Sequence, residues 1–282
     1  MKKLVMTAIF FCGLALTGCK NESADKELSA SGAERSTAIP EETTISEALN
    51  KKGRQIWYKV DEETSKDSKA SVYVFKNNTL RVYSLGARGN LTIGDLSKMT
   101  DDEIIKTVQE MEILQLQDDI NSKLSSYELS LSSIKQSKSK GYNPTGDTTK
   151  IEAVISALKE ISASDFEIPA VKYSLNIESD STGNNTETEE FIFTKNKVSL
   201  PIYTNGDDVG NNFNVTARVV QEKDETKLVF ESGYSKFQIY DTWYSGLKMK
   251  SGDYFVTRDQ NKDGSISFVL DQPGTKGVTV DE

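Results

Sequence analysis

Residues Asp259, Asn261 and Asp263 set side-chain oxygens at alternate positions, Ser265 follows with its backbone carbonyl, and Gly264 is the sixth residue of the run. That spacing is the first half of a calcium loop, in which hard oxygen ligands alternate and a glycine allows a sharp bend. Position twelve, where a bidentate glutamate closes such loops, is Leu270. Calcium needs six to eight oxygens, and this run offers about four before water is counted. The expected affinity is therefore weak, on the order of 0.1–1 mM. The competing reading is a polar turn whose Asx side chains bond their own backbone.

The strands around this run must decide its shape. A two-residue turn at Asp263-Gly264 would set Asn261 opposite Ile266 and Asp259 opposite Phe268, mixing polar and apolar residues on one face. A six-residue loop from Asp259 to Gly264 instead pairs Thr257 with Ile266 and Phe255 with Phe268, with Tyr254 opposite Val269 on the other face. The wider hairpin is the expected register, and it frees Asp259, Asn261 and Asp263 to turn inward.

Other chemistry is narrowly bounded. The chain has no histidine, which removes Ser-His-Asp and Cys-His catalysis and most zinc sites. Glycine-rich phosphate motifs are missing too. Carboxylates are abundant, but a glycosidase pair is defined only in three dimensions. The cluster from Tyr240 to Gly246 could grip a sugar ring, although such residues more often fill a core or a corner. Loops Asp180–Asn185 and Asn205–Asp208 read as solvated turns.

The N-terminus carries an address. Lys2 and Lys3 precede the apolar run Leu4–Leu16, which is too short for a comfortable membrane span and suits a cleaved export signal. Its end, Leu16-Thr17-Gly18-Cys19, resembles the lipobox of bacterial lipoproteins. That resemblance implies cleavage before Cys19 and a diacylglyceryl group on its thiol, with acyl chains of the palmitate class. Cys12 would leave with the signal, so no disulfide is expected within a mature monomer. The membrane partner is then the lipid on Cys19, at the extracellular face of a Gram-positive cell membrane. Residues 19–44 hold few large apolar side chains and read as a tether with a reach of about 30 Å. Loss of Lys2 and Lys3 takes the formal charge from −9 to −11. An acidic chain without a basic block argues against nucleic acid as a partner.

Beyond the tether, periodicity predicts strands at 55–60, 71–75 and 80–85, with Asn77-Asn78 turning between the last two. Thr100 and Glu103 have capping-box spacing ahead of the helical stripe Ile104, Val108 and Met111. Tyr127 to Leu131 alternates and reads as a strand. A second helix follows at Ile151–Leu158, and short strands dominate after Pro169. The expected fold is α+β and β-rich, with antiparallel sheets in a sandwich or barrel-like form under one or two covering helices. The expected divisions are a signal peptide at 1–18, a tether at 19–44, an α+β domain at 45–165 and an antiparallel β domain at 166–282. The whole chain is similar to uncharacterised surface lipoproteins of Gram-positive bacteria, of the streptococcal and enterococcal kind. The functional expectation is a non-enzymatic binding or interaction module for a protein or carbohydrate ligand, with calcium as its candidate cofactor. The rival is a cell-envelope hydrolase using paired carboxylates.

Overall fold

Alternation of apolar residues on both faces governs the central strands. In the strand β2 (Arg54–Val60), Trp57 points to one side while Ile56, Tyr58 and Val60 point to the other, and all four are buried. The computed structural model describes residues 41–83, 91–204, 212–259 and 266–281. The chain begins with β1 (Glu41–Thr44) and α1 (Ile45–Leu49), and β2 is followed by β3 (Ala70–Lys76) and β4 (Thr79–Tyr83). Three helices come next: α2 (Ile93–Leu96), α3 (Asp101–Ser139) and α4 (Thr148–Lys159). The strands then resume with β5 (Tyr173–Ser179), β6 (Thr186–Phe193), β7 (Asn196–Ser199), β8 (Ile202–Thr204) and β9 (Asn212–Asn214). The last six are β10 (Arg218–Gln221), β11 (Thr226–Ile239), β12 (Thr242–Met249), β13 (Tyr254–Arg258), β14 (Ile266–Val269) and β15 (Val278–Asp281). The β-rich α+β expectation holds, with most strand pairs antiparallel.

One nine-stranded sheet, in the order β15-β5-β6-β11-β12-β13-β2-β3-β4, contains strands from both halves of the chain. The expected boundary at 165/166 therefore does not separate two sheets, because β2 pairs directly with β13. The described residues, 41–281, fall in one compact unit. Apolar alternation marks which residues face inward, but it cannot say which strands are neighbours.

The sheet curls strongly. A flat sheet would hold β4 and β5 seven steps apart, about 33 Å. Instead Leu80 of β4 exchanges two backbone hydrogen bonds of 2.8 Å with Val171, just before β5. Inside the curl, Phe75 of β3 meets Tyr173 and Phe191 of β5 and β6 at ring-centroid distances of 5.4 and 5.6 Å. Trp57 stacks on Phe255, and Phe268 meets the Trp57 ring edge-on at 5.1 Å. Of the two expected forms, the barrel-like one describes this sheet.

On the outer face, α2 and the first turns of α3 cover β2, β3 and β13 through Ile93, Leu96, Ile104 and Val108. Arg258 of β13 donates to the carbonyl oxygens of Leu96 and Met99, which satisfies groups left open at the end of α2. The capping box forms as expected: Thr100 Oγ accepts from the Glu103 amide, and the Glu103 carboxylate accepts from the Thr100 amide at 2.8 Å.

This helix runs far beyond its predicted stripe and absorbs the expected strand at 127–131. Leu116, Ile120, Leu124 and Tyr127 recur at helical spacing and pack against α4 and the β7–β8 region. Leu129, the middle of the three apolar residues in the apparent alternation, is 73% exposed. A five-residue alternation is compatible with either period, and packing of the longer stripe decided between them.

Candidate functional site

The predicted calcium loop falls mostly outside the described residues: Asn261, Asp263 and Ser265 lie there. Asp259 is described and buried. Its amide donates to the Trp243 carbonyl at 2.8 Å, and its carboxylate accepts from the Ile266 amide at 3.3 Å. Among the described residues, no group of three His, Cys, Asp or Glu side chains is placed to hold a metal ion. The predicted β13–β14 hairpin is not formed. Both edges of β13 are occupied, by β12 and β2, and β14 pairs in parallel with β1. The register comparison assumed that the two strands are neighbours, and the tertiary pairing removes that assumption.

The aromatic run from Tyr240 to Gly246 is mainly structural. Tyr240 takes φ 52° at the turn between β11 and β12, and Lys98 lies 4.7 Å above its exposed ring. Tyr244 is fully buried. A Cβ on Gly246 would come within 2.0 Å of the Phe255 carbonyl oxygen, so only glycine fits between β12 and β13. At the loop Asp180–Asn185, the Asp180 carboxylate accepts from Thr182 and Asn185. These bonds favour the ionised form and hold its pKa below the usual carboxylate range, as expected of an Asx turn. The loop at 205–208 lies outside the described residues.

Two acids do meet. Glu189 of β6 and Asp271, which follows β14, are both fully buried. The Asp271 amide donates to Glu189 Oε2 at 2.9 Å, while Glu189 Oε1 has no hydrogen-bond partner among the described residues. The Asp271 carboxylate accepts from the Ser46 amide at 3.0 Å and from the Ser46 hydroxyl, tying α1 to the sheet. Burial, and then the negative charge of Asp271, push the Glu189 carboxyl up to about 8. The sequence held one signal for this: Glu189 has the same strand phase as the inward-facing Phe191 and Phe193. Its partner could not be read, since Asp271 lies 82 residues away.

A concave feature with apolar walls lies elsewhere among the described residues. A cleft of about 560 Å³ opens between β4, the middle of α3 and the segments 168–171 and 195–198. Leu80, Val82, Met111, Leu114, Pro169 and Val171 supply apolar lining. Arg81 pairs with Glu112 across the cleft wall, and its guanidinium lies 5.0 Å over the Tyr83 ring. Burial raises the Glu112 carboxyl above its ordinary value despite that pairing. Leu114 is 64% exposed at the mouth, beside exposed Ile113. No signal in the sequence marked this cleft, because its walls come from four separate stretches.

Compared with protein-family models, curated proteins and solved structures, the chain matches none of them. The functional reading therefore rests on geometry.

Proposed function

We propose that this chain is a non-enzymatic binding module, anchored to the extracellular face of the membrane through lipid on Cys19, that receives its ligand in the β4–α3 cleft. The observation that carries the reading is the cleft itself. Its volume lies in the usual range for ligand sites, and its apolar walls surround a few placed polar groups. Leu114, 64% exposed, carries the apolar lining out to the surface.

The hydrolase alternative has one observation in its favour, the raised carboxyl of Glu189 facing Asp271. Both residues are sealed from solvent, however, so neither water nor a glycoside can reach them in this arrangement. The cleft is the better-supported site.

The test is binding of the neutral apolar dye N-phenyl-1-naphthylamine, read by fluorescence. Leu114→Asp should weaken dye binding about tenfold, a loss of about 1.4 kcal/mol. Leu129→Asp, at an exposed position farther along α3, should leave it unchanged. Equal dye binding by all three proteins would remove the cleft as the site. The anchor has its own test: Cys19→Ser should move the protein from the membrane fraction to the medium.

A further inference from the structure

The cleft coincides with an incomplete seam in the sheet. β4 is an edge strand, and alternation of its pairing with β3 fixes which backbone groups point outward. The Asn77-Asn78 turn joins Lys76 to Thr79 as a hydrogen-bonded pair, so Arg81 and Tyr83 also point their backbone groups toward β3. Leu80 and Val82 must point theirs away. Leu80 does so, exchanging both bonds with Val171.

Extending that antiparallel register by two residues would set Val82 opposite position 169, where the chain has proline. Pro169 has no N–H to donate to the Val82 carbonyl. Its own carbonyl accepts from the Asn196 side chain at 3.2 Å. The ladder therefore stops after one residue pair. Among the described residues, no backbone group completes it at Val82. The unmatched donor and acceptor lie in the wall of the cleft, beside apolar surface.

We infer that the cleft binds an extended peptide segment of a partner protein, which adds to the free edge of β4 by pairing with Val82. This rests on the reading of the cleft as the ligand site and names what enters it. The protein already makes one such contact internally, since Val171 exchanges both backbone bonds with Leu80 of β4. Charge agrees with this occupant. Arg81, Lys195 and Lys197 are balanced in the lining by Glu112, Asp118 and Asp119. A wall without net charge does not select an ionic headgroup. It suits a peptide backbone, which offers donors and acceptors in equal number and no charge. Apolar side chains at alternate positions of the segment would enter the cleft, and the intervening ones would meet its charged rim.

The experiment is selection of displayed linear octapeptides on the full-length chain in detergent, with affinities measured on the synthesised peptides. Val82→Pro removes the outward N–H and keeps the bonds to β3, because the Val82 amide does not face β3. Val82→Ile keeps the N–H. Selected peptides should bind Val82→Pro about tenfold more weakly than Val82→Ile, the loss of one backbone hydrogen bond, while Leu129→Asp, outside the cleft lining, binds as wild type does. Amide exchange at Val82 in the wild-type protein should slow when peptide is added, a readout that does not depend on folding of the proline variant. The inference fails if no peptide binds more tightly than about 0.1 mM, if the proline variant binds as well as the isoleucine variant, or if Val82 exchange is unmoved. Dye binding at the cleft without peptide binding would overturn this inference alone, whereas loss of both would also overturn the cleft as a ligand site.

Discussion

Glu189 and Asp271 share a closed interior, joined by a 2.9 Å bond from the Asp271 amide to a Glu189 carboxyl oxygen. The contact links β6, the chain leaving β14 and, through Ser46, the helix α1. It follows that stability should fall as the pH rises. An ordinary glutamate titrates near 4.5, and in the fold this one is raised to about 8. Between those values the folded state holds a proton that the unfolded state has lost, so stability declines by at most about 1.4 kcal/mol per pH unit. The contribution is complete below the lower value and lost as pH passes the upper one. Urea unfolding at intervals from pH 5 to pH 9 should show that decline, and Glu189→Gln should flatten it. A wild-type profile with no decline in this window would mean that Glu189 is not held protonated.

The Tyr127 hydroxyl acts as a strand partner for β8. It accepts from the Tyr203 amide at 2.9 Å and donates to the Tyr203 carbonyl at 3.2 Å. Tyr127→Phe should cost about 1–3 kcal/mol, since it leaves two partly buried backbone groups unmatched. Thermal melting measures this, and a change within about 0.5 kcal/mol would mean that water replaces the hydroxyl without loss.

Gly246 has a different sensitivity. A methyl group there would meet the Phe255 carbonyl at 2.0 Å, and backbone can yield only by opening the β12–β13 pair. Gly246→Ala should destabilise by about 3 kcal/mol, at the upper end of ordinary overpacking. Chemical denaturation gives the value, and a midpoint equal to wild type would show that the two strands are farther apart than described.

We propose a weak calcium site at the run beginning with Asp259, separable from the cleft. With a dissociation constant of about 0.1–1 mM, calcium at about 10 mM should add roughly 1–3 kcal/mol of stability. The melting temperature should rise, return with chelator and stay unmoved in Asp259→Ala. If calcium moves neither protein, the calcium proposal fails, and the bond from the Ile266 amide remains as one structural role of the Asp259 carboxylate.

Much of the local structure was readable from the chain. Asn77 and Asn78 both take positive φ, 52° and 58°, as a two-residue turn between alternating strands requires. The capping box at Thr100 and the stripe Ile151, Val154, Ile155 and Leu158 formed where their spacing placed them. The strand β12 was hidden by its chemistry: Thr242 to Gly246 drew attention as an aromatic cluster, and its alternation was masked because β12 is covered on both faces. In the single strand β11, Ser232-Gly233 interrupts the apolar pattern where the pairing with β12 is irregular, between Phe230 and Tyr234.

Composition and spacing by themselves determined the β-rich class, the helix starts, the tight turn and the inward phase of residues such as Phe191 and Glu189. These depend on interactions within a few residues, where the period of the backbone is the governing constraint. Only the tertiary structure decided that β2 lies beside β13, that Glu189 meets Asp271, and that the ladder between β4 and Val171 stops at Pro169. Each is a choice of partner across tens to hundreds of residues. Such choices are made by packing of the whole aromatic interior, and any single strand is compatible with many neighbours.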